Sequence, residues 1–280
     1  MLELAWAART HTGHRRTRNE DRVLARPGLF AVADGMGGHA AGDLASKWAV
    51  EALNIAAAAP TVTRLAVLEA VRDADDRLRR FAFRQRQGIG TTICALAVTD
   101  GSGSRERFGL LNVGDSRAYR LRDGRLDLLT HDHSVVQELL DAGTITADEA
   151  RRHPERHVVT RSLGADDHLE IDWWGIDPEV QDRYLLTTDG LTKEVDDDHI
   201  RAIVESVRDT GDAADALIHA ALAGGGRDNV SVIVIDVVLV DQRVAPFGVP
   251  DPLDGDTTPC PTRGSRTALD ADTEPRERTR

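Results

Sequence analysis

Strands and helices that come in runs, without strict alternation, predict an α+β layered fold with mixed or antiparallel sheets for this 280-residue chain. Two observations carry that reading. Residues 40–58 and 63–85 hold two consecutive helical periods, and residues 91–129 hold four short apolar segments separated by turn residues. A third observation concerns chemistry: several of these segments end on an aspartate, as in Val32-Ala33-Asp34, Leu110 to Val113 before Asp115, and Tyr184 to Thr188 before Asp189. Carboxylates at strand ends converge on one rim of a sheet.

The elements follow in order. Alternation at Leu2, Leu4, Trp6 and Ala8 predicts a half-buried first strand that runs into an arginine-rich loop, and a second strand ends at Asp34. Leu44, Trp48, Leu53 and Ile55 recur at helical spacing, as do Leu65, Leu68, Val71 and Leu78. Thr91 to Val98, Phe108 to Val113, Ala118 to Arg122 and Leu126 to Leu129 read as an antiparallel meander, with turns at Asp100-Gly101-Ser102-Gly103 and Asp123-Gly124. Residues 131–163 turn polar and helical, which predicts a surface insertion. Strands resume at Leu169 to Trp174 and Arg183 to Thr188, helices at Asp198 to Arg208 and Asp212 to Ala223, and a last strand at Val230 to Val240. Beyond it lie six of the ten prolines, with few apolar groups, so residues 242–280 are expected to be a disordered tail.

Composition narrows the function. A net charge of -12 argues against nucleic acid as partner, because a phosphate backbone requires a basic surface. Cys94 and Cys260 are too few for a disulfide framework or a zinc site. The N-terminus has no basic region before an apolar run, and Val230 to Val240 is broken by Asp236 and far short of a bilayer span. A cytoplasmic protein without a membrane anchor, and a monomer, is the expectation.

Repelling carboxylates need a cation among them, and an oxygen-only donor set suits Mn2+ or Mg2+ better than zinc. An isolated Asp-Gly is an ordinary turn; the collective pattern carries the metal reading. Arg16, four residues before Glu20, is the candidate for binding an anionic group, since a guanidinium fork matches the oxygens of an anion such as phosphate in pairs. Arg15 and Arg18 compete with it. No Gly-x-Ser-x-Gly elbow or nucleophilic cysteine is evident, which favours direct attack by water. His39, His131 and His133 lack a third ligand at matching spacing and are read as structural.

The run Gly13-x-x-Arg16-x-x-Asn19-Glu20-Asp21, then Asp34-Gly35-Met36-Gly37-Gly38, Gly90-Thr91-Thr92, Gly114-Asp115-Ser116-Arg117, Asp189-Gly190 and Asp228-Asn229-Val230, resembles the bacterial protein phosphatase 2C family of metal-dependent Ser/Thr phosphatases. Order agrees as well as content, over about residues 5–240. The resemblance implies a four-layer α-β-β-α sandwich with two central, mainly antiparallel sheets, a catalytic domain over 1–241 and a flap over about 131–163. It also implies two core ions and a metal-bridged water as nucleophile. Asp34, Asp189 and Asp228 would hold one ion; Glu20, Asp34 and the Gly35 carbonyl would hold the other, with Asp34 bridging. Asp115 would share a third, weaker ion with Asp189, while Asp21 stands behind the ligands. Met36 departs from some eukaryotic relatives, which carry a histidine proton donor there. Implied partners are phosphorylated proteins and a Ser/Thr kinase that the enzyme opposes, with type VI secretion control as one pathway. A catalytically silent phosphoprotein-binding regulator and a small-molecule phosphatase are the competing functions.

Overall fold

The computed structural model describes residues 2–37, 41–59, 61–85, 88–100, 106–165 and 168–240. Gly38, His39, the turn at Gly101 to Gly103 and the expected tail over 242–280 lie outside the described residues.

Among the described residues, eleven strands form two sheets, and every pairing within them is antiparallel. One sheet has the order β1 (Leu2–His11), β11 (Val230–Val240), β10 (Arg183–Thr187), β7 (Arg117–Arg122), β8 (Arg125–Leu128). The other has the order β2 (Asp21–Arg26), β3 (Leu29–Gly37), β5 (Ile93–Asp100), β6 (Glu106–Val113), β9 (Asp172–Ile176), with β4 (Ile89–Thr91) pairing the end of β3. The period of two along each strand explains how one strand serves two cores. In β5, Ile93, Ala95 and Ala97 face the helices α1 (Ala41–Ala56) and α2 (Arg64–Gln85), while Cys94 and Leu96 face the opposite sheet. In β11, Ile233, Ile235 and Val237 face the inter-sheet core, while Val230, Val232 and Val234 face α5 (Asp189–Thr192), α6 (Asp197–Ser206) and α7 (Thr210–Gly224). Three apolar layers therefore separate four structural layers, as the resemblance implied. Edge-to-face aromatic pairs, Trp6 with Phe30 at 5.4 Å and Phe108 with Tyr184 at 5.0 Å, tie the two sheets together.

Four readings are corrected. The segment from Thr91 to Leu129 is not one meander: β5 pairs β6 in one sheet and β7 pairs β8 in the other. Gly114-Asp115-Ser116 is thus a crossing between sheets rather than a turn between paired strands. β3 does not end at Asp34 but runs on to Gly37, and it changes partner there, from β5 through Val32 to β4 from Gly35 onward. Residues 21–26 form a strand of their own, so the strand through Asp34 is the third rather than the second. The strand placed at Leu169 to Trp174 lies later, at Asp172–Ile176, because its register is set by β6. The polar insertion is helical as expected, with α3 (Val135–Asp141) capped by Ser134 and α4 (Ala147–Ala150) closed by a Thr146–Glu149 capping box. α3 buries none of its residues, as a surface segment should.

Leu96 is fully buried between the sheets, whereas Ile55 on α1 is 75% exposed. Leu96→Ala is expected to cost about 2–5 kcal/mol in urea unfolding, and Ile55→Ala to stay within about 0.5 kcal/mol of the parent. Equal losses at the two positions would contradict the layer assignment.

Candidate active site

Asp34 is fixed by its backbone. Its N–H donates to Thr92 Oγ1 (3.0 Å), and its carbonyl accepts from Thr92 N (2.9 Å) and Thr91 Oγ1 (2.9 Å). The pair Thr91-Thr92 thus clamps the point where β3 changes partner. Thr92 Oγ1, already an acceptor, can donate to Ser116 Oγ at 2.8 Å, which ties the crossing that carries Asp115 to the same clamp. His133 holds the other side of that crossing: its Nδ1 accepts from Gly114 N (3.0 Å) and its Nε2 meets Asp172 Oδ2 (3.0 Å). His133 is buried and structural, and His131 pairs with Asp141.

Asp21 lies opposite Asp34 in register, and its Oδ2 accepts from Thr188 Oγ1 and Ser231 Oγ, both at 2.8 Å. Asp189 opens α5, directly after Thr188. Gly190 follows because no side chain fits: a Cβ there would stand 1.9 Å from the Asn229 carbonyl oxygen. Asn229 in turn accepts from Glu20 N (2.8 Å) and donates to the carbonyls of Thr12 (2.9 Å) and Arg18 (2.8 Å), so it pins both ends of the arginine loop beside Asp228. Gly35 has no room for a side chain. α1 crosses so closely that a Cβ would lie 2.0 Å from the Gly42 carbonyl.

Of the residues singled out in the sequence, Arg16 and Asp228 form a two-pronged ion pair, Nε to Oδ1 at 2.9 Å and Nη2 to Oδ2 at 3.0 Å. Burial works against the Arg16 charge, but Asp228, Asp34 and Glu20 more than offset it and raise its pKa, which sets all three carboxylates around the guanidinium. Arg15 and Arg18 are exposed on the same loop. Lys193 was missed. One helical turn after Asp189, it forms an ion pair with Asp189 Oδ2 and reaches Asp228 Oδ2 at 3.4 Å. The i, i+4 spacing from Asp189 was its signal in the sequence. On the insertion, partial burial and then Lys193 and Arg156 lower the pKa of His157 against the pull of Asp189 and Asp228, so the insertion overlooks the same charges.

Among the described residues, no three acidic, histidine or cysteine side chains form a ready-made metal cage. Chemistry nevertheless fits a hard divalent cation. The gathered side-chain donors are oxygens, and Asp189 Oδ1 and Asp21 Oδ1 are buried without a hydrogen-bond partner among the described residues. Burial, then repulsion from Asp21, Asp189, Asp115 and Asp228, pushes Asp34 well above the usual carboxylate range. Burial, then Asp189 and Asp132, pushes Asp115 up to about 8 against the pull of Lys193. Burial pushes Asp21 up to about 7 despite the Ser231 and Thr188 hydroxyls.

The family model for protein phosphatase 2C matches residues 10–223. The serine/threonine protein phosphatase PstP of Mycobacterium tuberculosis is 40% identical over 244 residues, 86% of this chain and 46% of that protein, so the chain spans about half of that relative's length. A structure of the PstP catalytic domain in complex with two manganese ions superposes with a TM-score of 0.77 at 39% identity, covering 85% of this chain and 100% of that one. PppA of Pseudomonas aeruginosa, described as a key regulatory component of type VI secretion, superposes with a TM-score of 0.73 at 35% identity, over 84% of this chain and 99% of that one. These likenesses set the class, a phosphatase scaffold whose acidic residues gather where the two sheets meet. The chain belongs to the protein phosphatase 2C family.

The raised carboxylates predict a pH dependence for chelator-treated protein. Unfolded, these groups titrate near about 4; folded, Asp21 and Asp115 hold their protons up to about 7 and about 8. The folded state binds more protons in between, so their contribution is complete below about pH 4 and is lost as pH rises through the folded values. The melting temperature without metal is expected to fall between about pH 5 and pH 8, and Mn2+ to restore it. A value that climbs over that range would contradict the burial of these carboxyls as protonated groups.

Proposed function

We propose that the protein is a metal-dependent phosphoprotein phosphatase acting on phosphoserine and phosphothreonine. The observation that carries this reading is Arg16, held over Asp228 beside the raised carboxyl of Asp34, in a chain of this family. In this reading Asp34, Asp189 and Asp228 hold one Mn2+ or Mg2+. Glu20, Asp34 and the Gly35 carbonyl hold the second, and Asp115 shares a third with Asp189. Bound there, the ions would supply the positive charge and the activation of water that phosphate-ester hydrolysis requires.

The chain's own residues do the rest. Arg16 exchanges Asp228 for two oxygens of the incoming phosphate and so aligns phosphorus for attack. Asp34, locked by Thr91 and Thr92, keeps its carboxylate at the centre without reorganisation. A new bond forms between water oxygen and phosphorus, the bond to the serine or threonine oxygen breaks, the alcohol leaves with a proton, and inorganic phosphate is released.

Residues 1–241 act as the catalytic unit, and the enzyme opposes a Ser/Thr kinase. Control of type VI secretion is a narrower pathway reading, supported by the likeness to PppA. No helix among the described residues is long and apolar enough to cross a membrane. A cytoplasmic monomer accords with the sequence, and cell fractionation and sedimentation would check both properties.

Dephosphorylation of a phosphothreonine peptide, with and without chelator, tests the proposal. Asp34→Asn should abolish turnover at saturating Mn2+ while the protein stays folded. Arg16→Ala should lower kcat/KM by about 2 kcal/mol, the loss of one charge-assisted contact, and Asp115→Ala should slow turnover and remove one weak Mn2+ site in calorimetry. A larger defect from Arg15→Ala or Arg18→Ala would move the phosphate contact to another arginine. Binding of phosphopeptide without turnover would instead mark a silent regulator, and turnover of aryl phosphate alone a small-molecule enzyme.

Ending the chain after Asp241 should leave hydrolysis of a small aryl phosphate unchanged. Loss of folding or of most activity would show that residues 242–280 belong to the catalytic unit.

A further inference from the structure

Lys193 stands in an unusual place for an ammonium group. It is one of the chain's two lysines, the other being Lys47, against an otherwise all-arginine cationic complement. Its Nζ pairs with Asp189 Oδ2 and lies 3.4 Å from Asp228 Oδ2, so one cation joins two carboxylates contributed by α5 and by the segment before β11. The remaining oxygen of Asp189, Oδ1, is buried without a hydrogen bond among the described residues. α5 is fixed to its surroundings by Thr188 N to Ser231 O (3.1 Å) and by the close fit of Gly190 under the Asn229 carbonyl, so Asp189 cannot drift away from Asp228. Arg16 binds both oxygens of Asp228, Oδ1 through Nε and Oδ2 through Nη2, and so shares Oδ2 with Lys193. Two side-chain cations therefore fill the gaps between carboxylates that would otherwise face one another.

We propose that Lys193 is a built-in counter-cation: it holds the Asp189–Asp228 pair together in the metal-free protein and must be displaced when a divalent ion takes those oxygens. This deepens the proposed function and rests on the metal-ligand reading of Asp189 and Asp228. The side chain is long, and it is part of a single helical turn with solvent on one side, so its ammonium can swing out while the aspartates stay. Two consequences have opposite signs. Lys193 stabilises the stripped protein by screening carboxylate repulsion, and it weakens metal affinity because the incoming ion competes with an intramolecular charge.

The test uses the full chain stripped with chelator, titrated with MnCl2 in a calorimeter and melted without metal. Lys193→Met, which keeps length but loses charge, is expected to bind the first Mn2+ about tenfold more tightly and to melt lower than the parent when metal-free. Lys193→Arg, which keeps the charge, is expected to stay near the parent in both. Lys193→Gln serves the same purpose should the methionine variant fail to fold. Equal or weaker Mn2+ binding by the uncharged variants would overturn the inference, as would an unchanged melting temperature. A raised KM for phosphopeptide with unaltered Mn2+ affinity would make Lys193 a substrate contact instead and would also overturn it. A parent protein that binds no Mn2+ defeats the metal reading itself, and a parent that binds it as well as the variants do defeats only the role of Lys193.

Discussion

Repulsion among carboxylates that are denied water shapes this protein more than any single attraction. Asp21 is buried, Asp34 and Asp115 are half-buried, and Asp189 and Asp228 add to the negative potential around them. Burial and these neighbours push Asp21, Asp34 and Asp115 towards their neutral forms. The chain answers with Arg16 and Lys193 at the rim, with hydroxyls from Thr188 and Ser231 on Asp21, and with backbone clamps that stop the carboxylates from separating. A charge cluster of this kind is costly to fold and well suited to recruit divalent cations.

The sandwich makes such a cluster possible by separating support from chemistry. Apolar layers on both faces of both sheets fix strand register, and register fixes which residue stands opposite which. Asp21 faces Asp34 because β2 and β3 pair from Arg26↔Leu29 upward without a slip. The crossing at Gly114 carries Asp115 from one sheet to the other, so residues from both sheets meet at one end. His133, which lies within the helical insertion, and Ser116 hold that crossing. The insertion and the crossing that carries Asp115 thus share one buried side chain, His133.

Lys193 and Arg16 give the rim two kinds of positive charge. Arg16 is exposed and can trade Asp228 for a phosphate with matching fork geometry, whereas Lys193 is more enclosed and sits between two aspartates. The first is suited to a substrate that comes and goes, the second to an ion that is bound for longer. Asp228 is their common partner, so in the proposed reading substrate and metal occupancy would be interdependent: whatever relieved Asp228 of one cation would change its hold on the other.

Periodicity in the sequence determined the helices of residues 41–56, 64–85, 197–206 and 210–224, most strands, and the helical character of the insertion, because each depends on local spacing of apolar residues. The order of the aspartate motifs determined the family and pointed to Arg16, Glu20, Asp34, Asp115, Asp189 and Asp228. Tertiary structure alone decided that the four strands after Thr91 divide between two sheets, since an apolar strand reads the same whichever sheet receives it. It alone decided that β3 passes through Asp34 to a second partner, and that Gly35 yields space to α1. Lys193 was legible as a spacing but not as a counter-ion. Its meaning depends on Asp228, thirty-five residues away in the chain and 3.4 Å away in space. Local patterns report what a segment can become, and long-range contacts decide which charges must live together.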